Sequence, residues 1–214
     1  MRSSSDTKAL KFPGPLSRER EVFSWLRSSG EAALALYREA DRVRRRRVGD
    51  AVYLRGLVEF SNICRNDCLY CGINRRNRNI RRYRMAPEEI IAVCARARKL
   101  GCTTVVLQSG EDPWFTRGRL CGLIREIKKG HSPAVTLSIG ERPFAELLAF
   151  RRAGADRFLL RFETSDPRLF ARLHPGDALK DRLSCLENIR RAGFQPGSGF
   201  LIGLPGGNLK TIAR

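Results

Sequence analysis

The sequence predicts an α/β fold with a parallel sheet of the TIM-barrel type, and two observations support this prediction. After Gly49, short apolar runs alternate with longer amphipathic segments, which is the pattern of parallel strands joined by right-handed helical crossovers. Each strand and helix together take roughly 30 to 45 residues, which suits the repeating unit of a (β/α)8 barrel. About five such units are present in the 214 residues.

Two helices and a polar leader are predicted ahead of this pattern. Residues 1–16 are polar and carry Pro13 and Pro15, which suits a loose leader. Between residues 17 and 48, apolar residues recur at helical spacing with an interruption around Gly30, so two helices are expected to end near Gly49. We therefore assign residues 1–49 to a leader and N-terminal helices, and residues 50–214 to the core domain.

The core domain is expected to contain the following elements. Strands are predicted at residues 52–60, 104–108, 134–139, 157–162 and 198–204. Helices are predicted at residues 87–100, 118–129, 143–153 and 166–192. Pro87 and Pro143 suit first helical turns. Glycines stand where helices are expected to end, at Gly101, Gly130, Gly154 and Gly193.

The loop after the first predicted strand carries Cys64, Cys68 and Cys71, within the stretch EFSNICRNDCLYCG. A turning loop can aim three thiolates at one iron-sulfur cluster or metal ion. A closed structural site normally takes four protein ligands, so three leave a coordination position open to a substrate or cofactor. The alternative is a structural zinc site completed by Cys94, Cys102 or a ligand that the pattern does not reveal.

Polar residues follow the other predicted strands, where barrel enzymes place their chemistry. A carboxylate beside a guanidinium can receive the ammonium and carboxylate groups of an amino-acid moiety. The candidates after the second to fifth strands are Gln108, Ser109, Gly110, Glu111 and Asp112, then Ser138, Gly140, Glu141 and Arg142, then Arg161, Glu163 and Thr164, and finally Gly203, Leu204, Pro205 and Gly206.

The chain is strongly basic, with a formal net charge of +19. Such a charge attracts acidic partners, including nucleic acid, and arginines crowd the region beside the cysteines at positions 75, 76, 78, 81, 82 and 84. A basic nucleic-acid-binding module with a structural zinc site is therefore a second hypothesis. No recognised nucleic-acid motif accompanies the charge, so an arginine-rich solvated surface is the preferred interpretation. An acidic electron donor is a further partner that the charge would attract.

Cysteine usage indicates a reducing compartment. Seven cysteines, an odd number, and no apolar signal segment after Met1 argue against a secreted disulfide framework. We expect a cytoplasmic protein without a membrane-spanning helix. The four cysteines outside the loop are expected to be small core residues, namely Cys94, Cys102, Cys121 and Cys185.

The cysteine spacing resembles the cluster loop of radical S-adenosylmethionine (radical SAM) enzymes. In that superfamily the three cysteines hold a 4Fe-4S cluster, S-adenosylmethionine (SAM) chelates the fourth iron, and an aromatic residue precedes the last cysteine, where Tyr70 stands here. From about Gly49 to Gly206 the chain resembles, more narrowly, the HydE family of FeFe-hydrogenase maturases. The segments that carry this likeness are EFSNICRNDCLYCGI, RNRNIRRYRM, VVLQSGEDPW, TLSIGER, AGADRFLLRFET, ARLHPG, DRLSCL and GFLIGLPG.

The resemblance implies a radical SAM barrel enzyme that cleaves SAM to a 5′-deoxyadenosyl radical during assembly of the di-iron cofactor of FeFe-hydrogenase. It places the 4Fe-4S cluster on Cys64, Cys68 and Cys71 and names no catalytic residue beyond the cluster and SAM ligands. It places Tyr70 near the adenine of SAM. The other SAM-site residues that it implies are Arg161, Glu163 and Arg182 at the methionine end, with Gln108, Ser109 and Thr136 along the cavity.

The same resemblance implies the partners. The substrate would be a mononuclear iron complex with cysteine, carbonyl and cyanide ligands, supplied by a companion hydrogenase maturase, and ferredoxin or flavodoxin would donate electrons. Biotin synthase and methylornithine synthase share the fold and cofactors, so enzymes like these are the alternatives. The amino-acid sequence around Cys64 favours the maturase.

Two departures from the family pattern carry expectations of their own. The likeness fades after Gly206, with five of eight strands accounted for, so we expect a truncated or frameshifted product that is inactive alone. The segment RFETSD differs from the RHETAN-like sequence motif of the family at Phe162, Ser165 and Asp166. His131 and His174 are isolated histidines, and for His174, in the LHPG turn, a structural role is expected.

Overall fold

The computed structural model describes residues 18–129 and 133–214, which divide into two compact units. Residues 18–53 and Gly207–Arg214 form the first unit, and Leu54–Gly206 form the second. The predicted leader at residues 1–16, as well as Gly130 and His131, lies outside the described residues.

The first unit contains the two predicted N-terminal helices, α1 at Glu19–Leu26 and α2 at Gly30–Val48. Gly49 follows α2 with a φ of 80°, a conformation that glycine adopts without strain, and this ends the helix. A short helix at Leu209–Ala213 packs against α1. None of the helices in residues 18–129 and 133–214 is long and apolar enough to cross a membrane.

The second unit is built on a five-stranded parallel sheet, as the sequence predicts. Its strands are β1 at Arg55–Ser61, β2 at Thr104–Ser109, β3 at Ala134–Ser138, β4 at Arg157–Leu159 and β5 at Gln195–Gly197. Each strand pairs with the next one along the chain, in the order β1-β2-β3-β4-β5. All strands therefore end at the same edge of the sheet, and the loops that follow them share that edge.

Helices cover one face of this sheet. They are α3 at Pro87–Lys99, α4 at Arg117–Lys128, α5 at Phe144–Ala153, α6 at Pro167–Leu173 and α7 at Leu179–Arg191. The core lies between them and the strands, where Leu107, Leu137, Ile124, Leu147 and Phe150 are completely buried. Each such side chain stabilises the fold by about 1.5 to 3 kcal/mol relative to an exposed one.

The predicted position of the fifth strand is wrong. Residues 198–204 were expected to form it, but β5 is the preceding segment Gln195–Gly197, and beyond it only Phe200 makes an isolated bridge, to Glu163. Of the apolar residues in the predicted strand, Leu204 is buried in a small cluster with Leu169 and Leu173 of α6, whereas Phe200 and Ile202 are exposed. The apolar run therefore does not mark a strand here, because a helix rather than the sheet buries Leu204.

Three other elements differ from the prediction by more than one residue. β1 starts at Arg55 because its partner β2 starts at Thr104, opposite that residue, and Val52 is 86% exposed. β4 ends at Leu159, three residues early. The helix predicted over 166–192 is two helices, because Pro175 favours an extended residue before it and Gly176 takes a φ of 92°.

Candidate functional site

A cavity of about 310 Å³ opens at the edge of the sheet where the strands end. It lies within the second unit and gathers most of the side chains that the sequence singles out. Its lining includes Cys64, Cys68, Cys71, Tyr70, Gln108, Ser109, Arg161, Glu163, His174 and Arg182. Among the site residues that the resemblance implies, Thr136 is the exception: it lies two residues before Ser138 on β3, and Ser138 is the residue of that strand that reaches the cavity wall. Several of the other strand-end candidates also lie outside the lining, namely Asp112, Glu141, Arg142, Thr164 and residues 203–206.

The cysteine loop, residues 62–86, is held to the end of β2 by a buried carboxylate. Asp112 is 1% exposed and accepts hydrogen bonds from Ser61 at 2.7 Å and from two nitrogens of Arg84 at 2.8 Å each. Burial alone would raise the pKa of Asp112, but the hydrogen bonds from Arg84 and Ser61 outweigh it and hold the pKa below its ordinary value. Asp112 thus joins both ends of the loop to the sheet.

Arg82 organises the middle of the same loop. Its guanidinium donates to four backbone carbonyls: Nη1 to Asn62 at 2.6 Å and Ile73 at 2.9 Å, and Nη2 to Asn74 at 2.6 Å and Asn77 at 3.0 Å. The planar fork of an arginine can satisfy several acceptors at once, which a lysine ammonium cannot do in the same geometry. The side chain therefore gathers separate turns of the loop around one point.

Cys64 is fixed by the segment after β2. Its sulfur accepts the amide hydrogens of Asn66 and Glu111 at 3.5 and 3.4 Å. The carboxylate of Glu111 accepts from Arg65 at 3.0 Å and from the amide of Glu141 at 2.9 Å. A side chain at Gly110 would meet the carbonyl oxygen of Ile63 at 2.3 Å, so only glycine allows this close approach.

Cys68 contacts the LHPG turn between α6 and α7. The sulfur lies 3.3 Å from Nδ1 of His174, and Nε2 of the same ring lies 2.7 Å from the hydroxyl of Tyr70. Phe170 stacks on the imidazole with ring centroids 4.2 Å apart. Burial and the thiols of Cys64 and Cys71 raise the pKa of Cys68 to about 12, and burial lowers that of His174 to about 4.

Glu163 is a buried carboxylate with spare hydrogen-bonding capacity. It is 4% exposed and has a φ of 64°, which is rare for a residue with a side chain. Its Oε1 lies 3.3 Å from Arg161. Its Oε2 is the one buried side-chain oxygen or nitrogen without a hydrogen-bond partner in residues 18–129 and 133–214. Burial raises the pKa of Glu163, and the charges of Arg161 and Arg182 oppose this rise.

Arg182 lines the cavity but already has protein partners. It forms a close ion pair with Glu141 and donates to the carbonyl oxygen of Arg161 at 2.8 Å. Its guanidinium also lies over the ring of Phe170, 5.5 Å from the centroid. Arg161, by contrast, has a side chain that is half exposed and pairs with Oε1 of Glu163.

The donor set fits an iron-sulfur cluster with a ligand bound beside it. All seven cysteines are free, and three of them line one cavity together with an unsatisfied carboxylate oxygen that could accept an ammonium group. Within residues 18–129 and 133–214, no three Cys, His, Asp or Glu side chains are already gathered around a point as for a single metal ion.

The cysteines proposed to complete a zinc site lie elsewhere. Cys94 is buried in the core on α3. The sulfur of Cys102 lies near Gly56, at the start of β1, whereas the cysteine loop follows the end of that strand. Neither can complete a site with Cys64, Cys68 and Cys71.

Several arginines beside the cysteines are used within the loop. Arg75 and Arg76 pair with Asp67, Arg82 binds backbone carbonyls and Arg84 pairs with Asp112. These four arginines therefore have partners within the protein, although only Arg82 is partly shielded and the other five members of the group are exposed. Sequence analysis assigned neither the loop-holding role of Arg82 nor the contact between His174 and Cys68, because both depend on chain segments that meet only after folding.

Comparison with known proteins identifies the superfamily of this chain. A model of the radical SAM superfamily matches residues 58–214. The FeFe hydrogenase maturase subunit HydE of Thermotoga maritima is 47% identical over 178 residues, which cover 83% of this chain and 51% of the relative. A 3-methylornithine synthase of Methanosarcina acetivorans is 32% identical over 178 residues, which cover 82% of this chain and 51% of the relative.

A solved structure supports the same assignment. The crystal structure of methylornithine synthase (PylB) matches with a TM-score of 0.85 and 29% identity, over 93% of this chain and 59% of that one. The chain spans about half the length of the curated relatives it matches. Since the superfamily match includes the three cysteines, the parallel strands and the whole cavity between them, the chain belongs to the radical SAM superfamily.

Proposed function

We propose that this chain acts as a radical SAM enzyme in the assembly of the FeFe-hydrogenase active site. One observation carries the proposal: three free cysteines and Glu163, whose Oε2 has no hydrogen-bond partner, line a single cavity at the carboxyl ends of parallel strands. The 47% identity to HydE supports the choice of pathway. It exceeds the 32% identity to the 3-methylornithine synthase. Methylornithine synthesis is the alternative function, and the structural similarity to PylB supports it.

In this proposal Cys64, Cys68 and Cys71 hold a 4Fe-4S cluster, and Glu163 accepts the ammonium group of SAM through Oε2. Arg161, which is half exposed beside that carboxylate, binds the carboxylate of the methionine moiety. When bound, the cluster would supply the electron that cleaves SAM. The chain itself binds and orients the ligands.

The remaining residues of the cavity have supporting roles. Tyr70, Gln108 and Ser109 form its wall, with Tyr70 on the cysteine loop and the other two at the end of β2. Arg182 acts through its ion pair with Glu141 and its bond to the carbonyl of Arg161, so we propose that it positions Arg161 rather than only contacting the ligand.

Anaerobic reconstitution with iron and sulfide, followed by EPR spectroscopy, tests the cofactor assignment. We expect a reducible 4Fe-4S signal that changes when SAM is added. Cys68→Ala should abolish the signal, and the matched control Cys102→Ala, which removes a thiol near the start of β1, should keep it. Stoichiometric zinc without iron uptake in the unmodified protein would overturn the assignment.

The pathway requires a separate test. Purified chain is added to an in vitro maturation mixture of apo-FeFe-hydrogenase and companion maturases, and hydrogen evolution is measured. Activity that depends on this chain, and that Cys68→Ala eliminates, would support the pathway and would refute the expectation that the 214 residues are inactive alone. Formation of 3-methylornithine by the reconstituted chain, with no effect on the hydrogenase, would favour the alternative. The iron complex with cysteine, carbonyl and cyanide ligands is the substrate we propose for the maturation reaction.

An acidic electron donor and a cytoplasmic location complete the proposal. A net charge of +19 favours association with an acidic redox protein, and seven free cysteines suit a reducing compartment. The basic nucleic-acid module is the competing explanation of the charge. It requires affinity for a specific nucleic acid that persists at physiological salt concentration. Nonspecific electrostatic binding would instead disappear as the salt concentration rises, and binding assays at several salt concentrations distinguish the two.

A further inference from the structure

His174, the one histidine within residues 18–129 and 133–214, bridges two residues of the cysteine loop. Its Nδ1 lies 3.3 Å from Sγ of Cys68, and its Nε2 lies 2.7 Å from the hydroxyl of Tyr70. Cys68 and His174 are 106 residues apart in the sequence. The contact is therefore a product of the tertiary fold.

The imidazole is held in this orientation from several sides. The ring is 2% exposed and stacks on Phe170 at an interplanar angle of 7°. The backbone of the turn is tied to the loop as well, since the amide of Leu69 donates to the carbonyl oxygen of Leu173 at 2.9 Å. A ring fixed in this way keeps the same nitrogen toward the sulfur, which is the condition for a directional hydrogen bond.

The chemistry of a thiolate decides the direction of that bond. A cysteine sulfur that ligates iron carries no proton and can only accept, so Nδ1 must carry the hydrogen, whatever the protonation state of the ring. In the neutral ring Nε2 is then an acceptor, and the hydroxyl of Tyr70 donates to it. The hydroxyl proton of Tyr70 is consequently directed to His174, although the same hydroxyl also lies close enough to the carboxylate of Glu163 to oppose the rise that burial causes in its pKa.

We propose that His174 is a positioning residue of the cluster site, which donates Nδ1–H to the sulfur of Cys68 and thereby raises the reduction potential of the bound cluster. The inference rests on the proposed function, because it requires the cluster. Hydrogen bonds to cluster sulfurs are among the factors that set the potential, since they stabilise the additional negative charge of the reduced state. The contacts that link Cys68, His174 and Tyr70 do not use Oε2 of Glu163. That oxygen is therefore available to a cationic ligand group.

Four variants separate the hydrogen bond from packing. His174→Asn places an amide donor where Nδ1 stands, and His174→Gln places one where Nε2 stands. His174→Phe keeps a flat ring against Phe170 and removes both donors. Tyr70→Phe removes the hydroxyl and leaves Nδ1 facing the sulfur. Each protein is reconstituted, its iron content is measured, and its reduction potential is determined by EPR-monitored titration.

We expect His174→Phe and His174→Gln to shift the cluster to a more negative potential, or to lose iron. His174→Asn and Tyr70→Phe should stay near the unmodified protein. The inference is overturned if His174→Phe retains the cluster at the original potential, if His174→Gln behaves like His174→Asn, or if His174→Asn also loses iron. If the unmodified chain binds no cluster, the proposed function fails and this inference fails with it; a cluster in the unmodified chain with no shift in the variants overturns the inference alone.

Discussion

Arg84 and Asp112 form a bidentate ion pair that closes the cysteine loop. The guanidinium donates from Nε and Nη2 to the two carboxylate oxygens at 2.8 Å each, and the carboxylate is completely buried. Since Arg84 ends the loop and Asp112 follows β2, the pair connects the loop with the strand end that carries Gln108 and Ser109. The position of the cysteines relative to the cavity therefore depends on this pair.

Replacing Asp112 with Asn should destabilise the second unit by about 2 kcal/mol at pH 7, because the charge-assisted bonds to Arg84 are lost. Urea denaturation measures the effect. The pKa of Asp112 is lowered by folding, so its contribution is present above the unfolded-state value of 3.8 and disappears as the pH falls through the lower folded value. The difference in stability between the two proteins should begin to shrink as the pH falls below 3.8 and should vanish only below the folded-state pKa.

Asp41→Asn is the matched control for this prediction. Asp41 pairs with Arg44 and Arg45 on an exposed surface of α2, where water and salt screen the charges and an ion pair contributes little to stability. A loss of equal size in both variants would show that the buried pair has no special role.

Arg82→Lys should loosen the cysteine loop although it preserves the charge. The four bonds from the guanidinium to backbone carbonyls cannot be reproduced by an ammonium group, and losing most of them should cost about 2 to 3 kcal/mol. Faster hydrogen exchange across residues 62–77 is the measurement. The neighbouring variant Arg81→Lys changes an exposed side chain and should leave exchange unchanged; the prediction is refuted if both variants behave alike.

Gly110→Ala should push Cys64 out of place. Its new methyl group would meet the carbonyl oxygen of Ile63 at 2.3 Å and Cβ of Cys64 at 2.7 Å, both of which belong to the structured loop. Overpacking of this kind costs about 1 to 3 kcal/mol. Iron content after reconstitution and the thermal midpoint should both fall. Gly72→Ala, where a methyl group meets nothing within 4 Å, should leave both close to the original.

Glu163→Gln should stabilise the ligand-free chain and weaken SAM binding. Burial raises the pKa of Glu163, so the carboxyl group favours folding below its unfolded value of 4.5, and this contribution is lost as the pH rises through the higher folded value. The neutral amide avoids the penalty at pH 7, and the thermal midpoint should rise. Calorimetric titration with SAM should show a loss of affinity of roughly 30-fold, equivalent to about 2 kcal/mol for a charge-assisted bond. A midpoint that falls, or unchanged affinity, would contradict the assignment of Glu163.

The sequence alone determined the class of fold and the principal candidate residues. Apolar runs of strand length, each followed by a helical pattern, predict β1 to β4. They do so because residues buried in a sheet or against it recur at the regular spacing of a strand or a helix. The grouping of Cys64, Cys68 and Cys71 is equally local, since eight residues of one loop contain all three. The convergence of Gln108, Glu163 and the cysteines followed from topology, because parallel strands end at one edge.

The tertiary structure decided the features that depend on residues far apart in the chain. Leu204 could be buried in a fifth strand or against α6, and periodicity does not distinguish the two; packing with Leu169 and Leu173 settles it. Thr136 has the correct strand but lies too early on it to reach the cavity wall. His174 meets Cys68 across 106 residues, and nothing near either residue in the sequence records the contact. Local patterns report what each segment buries, whereas the partner of a polar side chain is chosen only when the segments pack together.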